Sequence, residues 1–151
     1  MITQNIDALH TKAGSENVIE LHGSIRTGTC TTCNHKVIGD EYLPEFISTG
    51  IIPLCHICQN VIRPDIVLFE EMLPKESCEL ADILINKCDL IIVVGLSLEV
   101  MLAASYPLRA VQNGAKLIIF NLSPTHLDKF AQLIIRDDII NSVPKLSECL
   151  Q

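Results

Sequence analysis

The sequence contains no tryptophan, and aromatic residues make up only 4% of it. A core built from it has to be aliphatic, and a hydrophobic content of 48% supplies one. Cations are scarce too: 11 Lys and Arg face 18 Asp and Glu, a formal charge of −7. That argues against a general nucleic-acid binder, which needs a basic face for phosphates, leaves nucleic-acid binding by a zinc ribbon a runner-up, and mildly favours basic partners. Long apolar runs are missing as well. The stretch LIIVVGL, 90–96, falls far short of the ~20 residues of a membrane span. No charged-then-apolar signal pattern opens the chain. At 151 residues the expectation is one domain with a small insertion, with neither membrane nor nucleic acid as a direct partner. A mean hydropathy of +0.36 leaves some apolar surface over for a partner.

Cysteine, by contrast, is plentiful. Seven is an odd number, which fits metal-bound thiolates in a reducing intracellular compartment, the cytoplasm foremost, better than a disulfide scaffold. Four of the seven form two CxxC pairs, Cys30 with Cys33 and Cys55 with Cys58, with 21 residues between the pairs. Two residues between cysteines let one tight turn offer both thiolates to the same ion. Two such knuckles complete a tetrahedral zinc shell and leave no place for a substrate water, so the site reads as structural. With the shell full, His35 and His56 read as surface histidines. Cys78, Cys88 and Cys149 read as small apolar fillers.

The rest of the chain alternates strand and helix signals. Residues 2–5 look like the end of a strand, 7–16 like a short helix or turn ending at Gly14, and 18–24 like an extended piece stopping at Gly23. From Thr27 to about Asn60 regular periodicity fades, as in an inserted module. IVLF, 66–69, suits a strand. Pro74 opens a helix with Ala81, Leu84 and Ile85 on one face. DLIIVVG, 89–95, reads as a strand buried on both sides. Helical material follows over 98–112, with Pro107 starting a second segment and Gly114 as the stop. KLIIFN and QLIIRD are further strands. Ser123 and Pro124 suit an N-cap and first helical position, and NSVPKLSECL a last helix. The fold class is therefore α/β: a partial Rossmann-like parallel sheet flanked by helices, residues 1–26 and 61–151, with a zinc-ribbon module at 27–60. Ligands of such sheets lie beyond the carboxyl ends of strands, which selects 4–7, 69–71, 95–98, 121–123 and 137–139.

The ordered set TQNID, ELHGS, two CxxC knuckles, RPDIVLFEE, VVGLSLEV and NLSPT resembles the sirtuin (Sir2-like) family of NAD-dependent protein-lysine deacylases, from residue 2 to about 148. The resemblance implies NAD as cofactor, structural zinc, and an acyl-lysine protein or peptide as substrate. His22 matches the family's general base; imidazole is the side chain best suited to moving protons near neutral pH. The implied reaction displaces nicotinamide with the acyl oxygen, and the base activates a ribose hydroxyl to take the acyl group. It yields free lysine, nicotinamide and O-acyl-ADP-ribose. Gln4, Asn5, Ile6 and Asp7 match the nicotinamide and ribose site. Gly95 and Ser97 match the loop approaching the dinucleotide, Asn121 the residue holding the adenosine ribose, and Asp138 and Ile139 the adenine neighbourhood. Val67 and Phe69 match the walls of an acyl-lysine tunnel. Glu70 and Glu71 match the stretch that pairs with the peptide as an added strand.

Plainer readings stand beside these. A lone histidine between Leu and Gly is commonly structural, Asn5 and Asp7 suit a capped turn, Val67 and Phe69 can be core, and 138–139 can be an ordinary loop. The sequence also departs from the family. Leu96 stands where Thr is usual, and Glu70 where Gly is usual, which tilts peptide choice toward basic sequences. No Gly-Ala-Gly phosphate loop or Asp-Phe-Arg loop occurs, so the chain reads as N-terminally truncated, with the first βα unit absent. Three expectations follow. The first is an NAD-dependent deacylase. The second is a catalytically inactive sirtuin fragment retaining the zinc module, since a pyrophosphate without its N–H partners binds several kcal/mol more weakly at ~1 kcal/mol or more per charged hydrogen bond. The third is a zinc-ribbon interaction module. Self-association through the sheet surface left by the absent unit is expected as well.

Overall fold

The computed structural model describes residues 1–96 and 101–149. The chain packs as two compact units, Met1–Cys78 and Glu79–Gln151.

In the first unit, β1 (Ile2–Thr3) and β2 (Ile19–Glu20) pair in parallel, Ile2 opposite Ile19. The short α1 (Leu9–Lys12) lies between them, its first turn satisfied by Asp7, whose carboxylate accepts the Leu9 N–H at 3.0 Å. The chain does not stop at Gly23, as expected, but enters the eight-residue β3 (Gly23–Cys30) there. β3 is the middle of an antiparallel sheet, with β4 (Lys36–Ile38) on one side and β5 (Ile62–Ile66) on the other. The 27–60 region is more regular than its sequence suggests, because α2 (Gly39–Thr49) packs Tyr42 into a core with Cys30, Val37, Cys55 and Ile62. Gly28 makes this possible: a Cβ there would lie 3.0 Å from the Tyr42 ring and 2.9 Å from Ile62. Burial, and then the nearby Asp65, push the Tyr42 phenol above its ordinary pKa. Its hydroxyl donates to the Thr27 carbonyl at 3.2 Å.

The strand expected at 66–69 is displaced. β5 ends at Ile66, whose partner is Gly23, and the chain then turns at Phe69 and Glu70. Pairing with β3, not apolarity, sets the strand's limits, so Leu68 and Phe69 emerge into solvent.

In the second unit, β6 (Leu90–Val94), β7 (Lys116–Phe120) and β8 (Leu133–Ile135) form a parallel sheet in that order. The core gathers Val93, Leu117, Ile119, Ala104 and Leu127. Only β7 is covered as a central strand. β6 buries Val93 alone, and Leu90, Ile92 and Val94 stay 41–45% exposed, so the expectation of a doubly buried strand fails. The three alternate along the strand and so share one face of the sheet, the face left open to solvent among the described residues.

Helix α3 (Lys75–Lys87) begins after Pro74 as expected, the Pro74 carbonyl accepting the Cys78 N–H at 3.1 Å. Ala81 and Ile85 are buried, but Leu84 is exposed. Helix α4 (Met101–Gln112) runs through Pro107 without restarting, its Ala103, Ala104, Tyr106 and Ala110 all buried. Packing outweighs the one hydrogen bond proline removes. Arg109 donates to Asp82 at 2.7 Å. Ser123 and Pro124 open no helix. A single 3-10 turn, Asp128–Phe130, takes that place, because Asp128 accepts from both the backbone and the hydroxyl of Thr125, at 3.2 and 2.7 Å, and pairs with Arg136. Helix α5 (Ile139–Cys149) closes the described chain. No helix among the described residues is long and apolar enough to cross a membrane.

Candidate active site and metal centre

The four knuckle thiols converge. Cys30 and Cys58 Sγ lie 3.4 Å apart, Cys33 and Cys55 Sγ 3.6 Å, and all four fall within 4.8 Å of one another. A tetrahedron of sulfurs about 2.3 Å from one ion has edges of about 3.8 Å, so the set fits a single zinc with little adjustment. Cys30 and Cys55 are buried and Cys33 is at the surface. The knuckle turns are backbone-bonded: Asn34 N–H to Cys30 carbonyl at 3.2 Å, and Gln59 N–H to Cys55 carbonyl at 2.8 Å. The Asn60 backbone N–H, then its side-chain amide, lower the Cys58 thiol to about 6. The His35 backbone N–H also favours a Cys33 thiolate, but desolvation and the thiols of Cys58, Cys30 and Cys55 outweigh it and push Cys33 up to about 12. Cys33 is exposed, so the crowded sulfurs account for that rise better than burial does. Thiols bind a divalent ion as thiolates, so filling such a site releases protons. His35 and His56 sit edge to face with ring centroids 4.6 Å apart.

His22 sits in the corner between β2 and β3, and both its neighbours hold it. Its Nδ1 lies 3.1 Å from the Gln4 carbonyl oxygen, and its own carbonyl accepts the Val67 N–H at 2.9 Å. A carbonyl can only accept, so this contact assigns a proton to Nδ1, and in the neutral ring Nε2 is then the nitrogen with the lone pair. Gly23 allows the corner to form. Its φ is +70°, and a Cβ would lie 2.1 Å from the Asp65 carbonyl oxygen. The Leu21 N–H bonds to Thr3 at 2.9 Å and the Ile25 N–H to Ile6 at 3.0 Å, so TQNI is laid alongside His22 on both sides.

Around this corner, Gln4 Nε2 is buried with no partner among the described residues. An orphaned buried donor is what a ligand's oxygen would satisfy. Asn5 is exposed, Ile6 is half-buried, and Asp7 is partly spent on the Leu9 N–H. The loop after β5 carries Val67, half-buried, and Phe69, fully exposed. Glu70 adopts a left-handed φ of +70°, where glycine is favoured, and points no bond to any described residue. Glu71 is fully engaged. The Arg63 guanidinium donates to both its oxygens at 2.7 and 2.5 Å, and the Leu68 N–H donates to it at 2.9 Å. The guanidinium first, then that N–H, hold its carboxyl below the ordinary 4.5.

In the second unit, Gly95 follows β6 with φ +61°, its N–H bonded to the Phe120 carbonyl at 2.9 Å. Leu96 packs against the sheet core, while Ser97 lies outside the described residues. Asn121 is buried. Its side-chain amide donates to the Ser123 carbonyl at 2.9 Å, and its own carbonyl accepts from Arg136 at 2.9 Å. Asp138 caps α5, accepting the Ile140 N–H at 2.9 Å, and Ile139 beside it is exposed. Two roles escaped sequence reading: that of Gly23 in forming the corner rather than ending a strand, and that of Arg63, whose partner is eight residues away in no helical or strand register.

The Sir2 family profile matches residues 1–102. The NAD-dependent protein deacetylase of Thermotoga maritima is 40% identical over 148 residues, which span 98% of this chain and 60% of that protein. NAD-dependent protein deacetylase 1 of Pyrobaculum aerophilum is 42% identical over 151 residues, 100% of this chain and 59% of that one. A solved structure described as Sir2-p53 peptide-NAD+ superposes with a TM-score of 0.89 at 41% identity, covering 97% of this chain and 61% of the other. The chain thus spans about three-fifths of the length of the relatives it matches, and on the profile, the identity and the superposition together it belongs to the Sir2 family.

Proposed function

We propose that this chain carries the general base, the peptide-binding loop and the structural metal lobe of an NAD-dependent protein-lysine deacylase. The observation that carries the reading is His22, whose Nδ1 lies 3.1 Å from the Gln4 carbonyl oxygen and so leaves Nε2 as the basic nitrogen of the neutral ring. Residues of this chain fit the cofactor: Gln4 offers an unsatisfied donor, Asn5 an exposed amide, and Ile6 an apolar edge for a ring. The same reading assigns Gly95 to the loop approaching the dinucleotide and Asn121 to the adenosine ribose. When bound, NAD supplies a ribose carbon that loses nicotinamide and a hydroxyl that accepts the acyl group. His22 Nε2 withdraws the proton of that hydroxyl, and Gln4 keeps the imidazole in the tautomer that can do so. Val67 and Phe69 give a neutral acyl-lysine an apolar passage, and the backbone beyond them pairs with the peptide. A set of four unpaired thiols supports a reducing, intracellular compartment as part of the same reading.

The test is nicotinamide release from NAD by this chain with an acetyl-lysine peptide. His22→Ala should lower it by about 10²- to 10⁴-fold. Turnover that survives the substitution overturns the base assignment. A second reading is that these 151 residues by themselves hold zinc and peptide without turnover; the convergence of the four thiols is common to both readings. Calorimetry separates the two, because that reading requires zinc at one equivalent with NAD binding weak or nil. Self-association through the exposed stripe of β6 belongs to the proposal as well.

A further inference from the structure

Glu71 cannot greet a peptide as a free carboxylate. Arg63 occupies both its oxygens, and the Leu68 N–H shares one of them. Arg63 also donates to the Ile66 carbonyl at 3.2 Å, and the Glu71 N–H returns to the Leu68 carbonyl at 3.2 Å. The five residues 67–71 are thus closed into a ring of contacts whose hub is one guanidinium. That guanidinium stands on β5 opposite Thr29, one residue from the metal ligand Cys30. The loop it closes bears Val67, whose N–H holds the His22 carbonyl. Leu68, Phe69 and Met72 are 53%, 100% and 91% exposed, so the loop has no core of its own to fix its shape. Nothing but this clasp and the Val67 bond ties it down among the described contacts.

We infer that Arg63 is a positioning residue for the acyl-peptide site: through Glu71 it sets the backbone of 67–71 in the form that accepts a peptide strand. The inference rests on the proposed function and adds to it a division of labour between adjacent carboxylates. Glu71 is an internal brace, and Glu70 alone faces the incoming chain. One guanidinium nitrogen, Nη2, reaches both carboxylate oxygens and the Ile66 carbonyl, a point contact that a lysine ammonium can reproduce in part.

The experiment titrates a fluorescein-labelled acetyl-lysine peptide into the zinc-loaded chain by anisotropy, with hydrogen exchange read at the Leu68 amide. Arg63→Gln and Glu71→Gln should each weaken binding about tenfold and expose the Leu68 amide, while zinc content and the unfolding midpoint hold. The double substitution should cost no more than either alone, and Arg63→Lys should restore part of the affinity. Equal peptide affinity with a freed Leu68 amide overturns the inference alone. So does weakening accompanied by zinc loss, which would make Arg63 merely structural. An unaltered chain that binds no peptide overturns the proposed function and the inference with it.

Discussion

At the scale of single residues, backbone constraints do more here than side-chain choice. Gly23 is fixed by a positive φ and by the Asp65 carbonyl at 2.1 Å from its missing Cβ. Gly23→Ala should cost about 3 kcal/mol by denaturant unfolding, whereas Gly14→Ala, with φ +92° but nothing within 4 Å, should cost about 1 kcal/mol. Equal costs would show that the corner tolerates a Cβ. Asp128 makes a prediction in pH. Arg136 first, then the Thr125 hydroxyl, hold its carboxyl below the ordinary 3.8. A carboxyl depressed on folding contributes stability that is fully present above its ordinary value. That stability is lost as the pH falls through the depressed one. The urea midpoint should therefore drop on acidification below about 4, and Asp128→Asn should flatten that drop. Arg136 also donates to the Asn121 carbonyl, so the Asn121 loop should loosen over the same window.

At the scale of elements, the metal lobe is the sharpest case. Structural zinc binds small thiolate sites with about 10 kcal/mol or more, which rivals the total stability of a domain at roughly 5–15 kcal/mol. Removing it with a chelator should unfold β3, β4, α2 and β5 together, seen as loss of their amide protection. Cys55→Ser should behave as the chelated chain does. If the sheet survives without metal, its five-residue apolar core suffices alone. This lobe was legible in the sequence because CxxC spacing is local. The parallel strands β6 and β7 were legible as apolar runs bounded by turns. Elements set by distant partners were not. The limit of β5 depends on Gly23 across the sheet, the continuity of α4 on buried side chains such as Ala104, Tyr106 and Ala110, and the turn at Asp128 on Arg136. The meeting of His22 with Gln4 is of the same kind, since 18 residues separate them and the pairing of β1 with β2 closes the gap.

At the scale of the whole molecule, the exposed stripe Leu90, Ile92 and Val94 is a surface that apolar area should drive out of water. We expect concentration-dependent self-association by sedimentation, abolished by Ile92→Lys, which places a charge in the stripe. A monomer at every concentration would discard that expectation. The eight residues of β3 have a further consequence. At about 3.3 Å per residue the strand separates the sulfur cage from the imidazole by roughly 20 Å. Over that span a unit charge contributes less than about 1 kcal/mol at an effective dielectric of 20, and salt screens most of it. Swapping zinc for cobalt, an ion of the same charge, would therefore colour the lobe and leave the surroundings of the His22 imidazole as they are, a visible label remote from that ring.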